Sequence, residues 1–256
     1  QAVAPHRAHA HRYPRVDRAS RRETLDELGA LNRRRQATIG DPEIGARIAQ
    51  YEMAFRMQAS VPELTNIETE TAETLDMYGP AVRDPGSFAH STLLARRLVE
   101  RGVRFVQLFL GGQPWDNHNN IRSSLPAICK RTDKPCAALV KDLKQRGLLS
   151  TTLVHWGGEI GRLPVVEGSG ESVGRDHNGQ GFSTWVAGGG FKGGITYGET
   201  DEFGFKAVDK PVHVHDLHAT ILKLLGFDHE KFTYRYAGRD FRLTDVFGNV
   251  VKGICA

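Results

Sequence analysis

Apolar positions recur at helical spacing early in the chain. Leu25, Leu28 and Leu31 lie three apart, and Ile44, Ile48, Tyr51 and Phe55 follow at spacings of three and four. This predicts helices over residues 20–60, divided at Gly40-Asp41-Pro42. Pro62, Pro80 and Pro85 punctuate residues 61–86, which read as a short helix and a long surface connection. From residue 88 the pattern changes. SFAHSTLLARRLVERG reads as a helix stopped by Gly102. VRFVQLFL (103–110) is a short apolar, β-branched and aromatic run that predicts a buried strand. ALVKDLKQRG (138–147) predicts another helix, STTLVHW (150–156) a second buried strand, and FSTWVAGGG (182–190) a third with a glycine exit. HDLHATILKLLG (215–226) reads as a helix with Asp216 as N-cap and Gly226 as its stop. Short strands and turns fill the last thirty residues. The alternation predicts an α/β fold: a mostly parallel sheet flanked by helices, with right-handed crossovers. It divides the chain into a basic arm and helical region over 1–87 and an α/β domain over 88–256.

Composition changes this picture little. The chain has 256 residues, 39% hydrophobic and 25% charged, which is ordinary for a globular protein with a real core. The net charge of +4 is not global. Nine arginines (Arg7, Arg12, Arg15, Arg18, Arg21, Arg22, Arg33, Arg34, Arg35) face four acids in the first 35 residues, so the remainder is slightly acidic. Such an arm can touch an anionic surface, or simply be a solvated lead into the first helix. No aromatic-interleaved basic stripe or zinc-finger spacing supports a specific nucleic-acid partner. No apolar run reaches the roughly 18 residues of a membrane span. The start, QAVAPHRAHAHRYPR, has no apolar export core and no Met, and reads as a processed product or a fragment. Cys129, Cys136 and Cys255 form no CxxC pair; the first two either pair under oxidising conditions or lie on a buried helix face.

The candidate chemistry sits after the expected strands. Asp116 and His118 follow the run 103–110, Glu159 follows 150–156, and Asp176 and His177 precede 182–187. In an open parallel sheet such loops gather at the carboxyl ends of the strands. In WDNHNN a carboxylate and an imidazole two residues apart can reach one divalent ion, a donor pair that suits zinc, manganese or iron better than calcium. The alternative is a turn in which Asp116 caps amides and His118 is solvated. GRDHN adds a second Asp-His pair. GGEIGR sets Glu159 between glycines, with Arg162 either ion-paired to it or free to clamp an oxyanion. PVHVHDLH spaces His213, His215 and His218 for ligation or for a helix start packed on the sheet. The histidines of HRAHAHR lie on the basic arm with few acids. His155, within an apolar run, reads as a core or supporting residue. No P-loop, GxSxG elbow or HExxH motif occurs, GGGFKGG reads as a tight turn, and no nucleophile stands out, Ser183 and Thr184 included.

Taken in order, WDNHNN, HWGGEIGRLP, GRDHNGQGFSTWVAGGGFKGGITYGETDEFGF and the segment from VHVHDLHATILKLLG to the end resemble the sulfatase-like family known as domain of unknown function 1501. That family resembles the alkaline phosphatase superfamily of sulfatases, phosphatases and phosphoglycerate mutases. The resemblance implies a large α/β sheet, an exported or periplasmic protein, and a divalent metal: zinc, manganese or calcium. It implies hydrolysis of small anionic sulfate or phosphate esters, or a non-catalytic member of the same fold stabilised by metal. Asp116, His118, Glu159 and His177 are the implied ligands, with Asp176, His213 and His215 as further candidates. Arg162 and Arg175 are the implied oxyanion clamps. The superfamily's spacing is Asp-x-x-x-His, whereas here it is Asp-x-His with Asn120 beyond, and Ile160 replaces a second-site histidine. The first metal Asp and the Ser, Thr or Cys nucleophile of the superfamily lie on an amino-terminal strand and helix that nothing in this chain matches. The resemblance therefore implies the carboxyl-terminal part of a larger protein.

Overall fold

A computed structural model describes residues 17–256, apart from the side chains of residues 57–59. The amino-terminal histidines and Arg7, Arg12 and Arg15 lie outside the described residues. The chain divides between Asn66 and Ile67 into two compact units.

The first unit is a helical hairpin. Helix α1 (Arg18–Ile39) starts at Asp17, whose carboxylate accepts the amides of Ala19 and Ser20 at 2.9 and 3.0 Å. It stops at Gly40, at φ +75°, a backbone that only glycine adopts cheaply. Asp41 caps α2 (Pro42–Thr65), and Pro42 occupies its first position, where no amide is needed. Arg22 joins the helices by an ion pair with Glu52 at 2.7 Å and by stacking over Phe55. Gly29 is the one buried residue of α1, and Leu31 is 63% exposed.

The helical part of the second unit, before the strands, consists of α3 (Ala72–Tyr78), α4 (Phe88–Glu100) and α5 (Ile121–Gln145). Short 3-10 turns at Ile67–Thr69 and Pro80–Arg83 lie before and after α3. Ile67, Leu75, Tyr78, Val82, Ala89, Leu93 and Ala138 form its apolar core. Beside that core lies a buried ionic network. Arg96 is 1% exposed. It donates to Glu70 at 2.6 Å, Glu100 at 2.5 Å and Asp142 at 2.8 Å. Arg97 also donates to Glu70, Arg146 to Asp142 at 2.6 Å, and the Tyr78 hydroxyl to Asp142 at 3.0 Å. Burial and the Asp142 charge push the Tyr78 hydroxyl far above the usual phenol range, so it stays a donor. Every charge in this set is matched, which is the condition under which buried charge is tolerated.

The rest of the unit does not form the expected sheet. Among the described residues the strands are short and pair only antiparallel, in four separate two-stranded sheets. Strand β1 (Val154–Trp156) pairs with β4 (Trp185–Ala187) in the register Val154↔Ala187. Between them β2 (Gly161–Arg162) pairs with β3 (His177–Asn178). Then β5 (Glu199–Thr200) pairs with β6 (Ala207–Asp209), and β7 (Thr233–Tyr236) with β8 (Arg239–Arg242). Parallel neighbours need a crossover, usually helical. The chain between β1 and β4 contains no helix and returns as a loop excursion, so antiparallel pairing follows. The run 103–110 takes no strand partner among the described residues, and Phe105 and Phe109 are each 78% exposed.

The helical expectations fare better, with shifts. Helix α4 ends beside Gly102, which sits at φ +80°. Helix α5 begins seventeen residues before the expected 138, passing through Pro126 and Pro135. It carries Cys129 and Cys136 as free thiols. Helix α6 (Val214–Leu224) is capped by His213, with Asp216 as the reciprocal partner three residues in, not as the N-cap. No described helix is long and apolar enough to cross a membrane.

The network yields a prediction. Arg96→Met should lower unfolding free energy by about 3–5 kcal/mol, because three buried or half-buried carboxylates are left with two guanidinium groups. Arg47→Ala, which removes an exposed pair with Glu43, should change it by less than about 0.5 kcal/mol. Urea unfolding separates the two; equal effects would refute the role given to Arg96.

Candidate metal centre

Three loop segments build the site. The first, Trp115–His118, is pinned to the start of α5. A turn at Gln113 brings its carbonyl to the Asp116 amide at 3.1 Å. The buried Asn117 accepts from Ser124 of α5 and donates to Pro114 O at 3.3 Å. The second segment, 167–178, lies directly against the first. Arg175 N donates to Asn117 O at 2.9 Å, and Ile121 N to Val173 O at 3.0 Å. Gly174 makes this approach possible. A Cβ there would stand 2.0 Å from the His118 carbonyl carbon and 2.5 Å from Asn117 O, inside any van der Waals limit. The third segment is β2, whose Arg162 registers against His177 of β3. Leu163 N extends that pairing to Asp176 O at 2.8 Å.

The result is a convergent donor set. Asp116 Oδ1 lies 3.0 Å from His177 Nε2 and 3.1 Å from His118 Nε2, and the two Nε2 atoms are 3.3 Å apart. His118 Nδ1 meets Glu167 Oε2 at 2.7 Å. Both ring nitrogens of His118 face carboxylates, Glu167 at Nδ1 and Asp116 at Nε2; the contact with Glu167 is the shorter, which favours the proton of the neutral ring on Nδ1 with the Nε2 lone pair toward Asp116 and His177. The Glu167 hydrogen bond, aided by the charge of Asp116, raises the His118 pKa above its ordinary value. The hydrogen bond from His177, with the charges of His118 and Arg162, lowers that of Asp116. All of these side chains are partly open to solvent.

Arg162 flanks the set. Its Nη2 lies 3.1 Å from Asp116 Oδ1 and donates to Trp115 O at 3.3 Å, while its buried Nη1 has no hydrogen-bond partner. Trp115 packs edge-on against Trp156 at 5.9 Å, and Trp156 stacks on Trp185 at 6.3 Å, giving the neighbourhood an aromatic wall.

Asp116, His118 and His177 are thus brought together, although no parallel sheet edge assembles them. The other expected residues have different surroundings. Glu159 is 80% exposed and 3.9 Å from Arg162 Nη2, a loose ion pair. Arg175 spends its guanidinium on Leu163 O at 2.8 Å. Asp176 accepts the His177 amide at 2.6 Å, and its other ligand-capable contacts are with His118 and Glu167, all within 4.8 Å. His213 caps α6, accepting from His215 N at 3.3 Å. His215 lies against Phe247 with its Nδ1 buried and unpaired. His155 bonds Thr184 Oγ1 at 2.8 Å. Two participants escaped the sequence reading. Glu167 sits in VVEGSG, with only a following glycine as a signal. Asn178 is buried and donates to Gly181 O at 3.1 Å and Phe205 O at 2.9 Å, fixing the loop beyond β3; its only cue is its place beside His177.

Gly174→Ala should therefore open the clip between the two histidine segments. The expected outcome is a thermal midpoint lowered by several degrees and weakened metal binding, whereas Gly193→Ala, which has nothing within 4 Å, should match wild type. Differential scanning fluorimetry with and without zinc reads both.

No curated protein and no solved structure matches the chain. Residues 4–255 match the family described as "Protein of unknown function (DUF1501)". That match spans nearly the whole chain, and the chain belongs to the DUF1501 family.

Proposed function

We propose that Asp116, His118 and His177 form a divalent metal centre serving hydrolysis of small sulfate or phosphate esters. The observation that carries this reading is the convergence of one carboxylate oxygen and two imidazole nitrogens at separations of 3.0, 3.1 and 3.3 Å. Ligands held about 2.0–2.1 Å from a tetrahedral ion stand about 3.3 Å apart, so the donor set fits zinc or a similar ion. Two imidazoles and one carboxylate suit zinc, manganese or iron more than calcium, which takes an all-oxygen shell.

When bound, the ion supplies Lewis-acid polarisation of an ester oxygen. The protein's own residues do the rest. Asp116 offsets the ion's charge, and Glu167 keeps the proton of His118 away from the ligand face. Arg162 sets a guanidinium charge beside the donor set, its Nη2 3.1 Å from Asp116 Oδ1, suited to an anionic ester oxygen. The order of the WDNHNN, GGEIGR and GRDHN segments resembles the DUF1501 family, and the resemblance of that family to the alkaline phosphatase superfamily supports sulfate or phosphate as the anion.

One observation favours a second reading, in which the metal is structural. The donors come from separate loops of a region with few buried apolar side chains, where Val173, Phe191 and Ala219 are the buried apolar residues described after α5. An ion joining such loops adds stability directly.

Asp116→Ala and His177→Ala should each abolish stoichiometric zinc by elemental analysis while circular dichroism stays native. Full retention in both would refute the centre. Zinc affinity should also fall with pH. A metal needs the unprotonated Nε2, and a raised His118 pKa lets protons compete from a higher pH than at an ordinary histidine. Competition titrations from pH 8 to pH 5 should show affinity declining as the pH is lowered, and a pH-independent affinity over that range would contradict ligation by His118. A panel of sulfate and phosphate monoesters on metal-loaded protein separates the two readings: turnover lost in Arg162→Ala supports hydrolysis. A metal-dependent rise in thermal midpoint without turnover supports the structural role.

A further inference from the structure

We infer that Glu167 is the positioning residue of this centre, holding His118 in the tautomer and orientation that ligation requires. The inference rests on reading Asp116, His118 and His177 as a metal centre. An imidazole that ligates through Nε2 must carry its proton on Nδ1, and an acceptor on Nδ1 both selects that tautomer and fixes the ring plane. Glu167 Oε2 stands 2.7 Å from His118 Nδ1.

The placement is built into the backbone. Glu167 and Gly174 exchange both of their backbone hydrogen bonds, N to O and O to N, each at 2.9 Å. Gly174 is the residue pressed against the His118 carbonyl. The same clip that carries His177 toward Asp116 therefore carries Glu167 under His118. Of the two carboxylates near this ring, Glu167 is the one hydrogen-bonded to His118 Nδ1, while Asp176 Oδ1 accepts the His177 amide at 2.6 Å. Glu167 and Asp176 thus divide the support: one orients the ring of His118, the other the backbone of His177.

The test uses the full chain in three variants, Glu167→Ala, Glu167→Met and Glu167→Gln. Met keeps side-chain length without the acceptor, so it reads the same loss if the alanine variant does not fold. Gln retains an oxygen that can accept from Nδ1. Long-range proton–nitrogen NMR of metal-free, nitrogen-15-labelled protein, recorded at a pH where His118 is neutral, reports its tautomer. Competition with a zinc chelator reports affinity. The expected result is a pure Nδ1–H tautomer in wild type and Glu167→Gln, and a mixture or the Nε2–H form in Ala and Met. Zinc affinity should fall about 10–100-fold in Ala and Met and be largely kept in Gln. An unchanged Nδ1–H tautomer in Ala or Met, or zinc affinity there equal to wild type, overturns the role of Glu167 and leaves the metal centre standing. A tautomer that follows Glu167 in a wild-type protein that holds no zinc upholds the orienting contact and overturns the metal reading.

Discussion

The close approach of Gly174 to the backbone of Asn117 and His118 is the constraint on which the candidate centre depends. With hydrogen in place of a side chain, two loops separated by more than fifty residues come into main-chain contact. The Arg175 amide then bonds Asn117 O, and the Glu167–Gly174 bridge follows behind it. Everything chemical in this part of the molecule rides on that contact: Asp116 and His118 on one side, Asp176 and His177 on the other. A Cβ at 2.0 Å from a carbonyl carbon is not absorbed by rotamer changes, because its neighbour is backbone.

Two kinds of order hold the second unit together. Its helical part combines an apolar core with a buried ionic network in which Arg96 links α4 to α5 and to the 3-10 turn region before α3. Beyond α5, short antiparallel pairs and glycine contacts replace a continuous sheet. The candidate site stands where the two meet, since Asn117 and Ser124 fasten its first loop to the start of α5. A rigid helix on one side and loops on the other is a common way to present functional groups.

Local physics made the helices legible. Leucines at helical spacing, Gly40 and Gly102 at helix ends, and the polar residues flanking α6 all act within a few residues of themselves. The sheet was not legible for the opposite reason. Apolar runs such as 103–110 and 150–156 state that a segment suits a strand, but pairing partner and direction depend on distant connections. The loop from β1 to β4 carries no crossover helix, and Phe105 and Phe109 remain exposed on an unpaired segment. At the site, Asp116, His118 and His177 stood out in the sequence because WDNHNN and GRDHN place carboxylates and imidazoles, the residue types that metal ligation uses, a few positions apart. Their contact did not, since it rests on Gly174. Glu167 escaped notice because a lone glutamate near glycines carries no pattern, and its partner lies 49 residues away.

The most direct test of the account is X-ray absorption spectroscopy of the zinc-loaded chain. The arrangement of Asp116, His118 and His177 predicts a nitrogen and oxygen shell with multiple-scattering features of two imidazoles in wild type, reduced to one in His177→Gln. A shell without imidazole scattering, or one unchanged by that substitution, would contradict it.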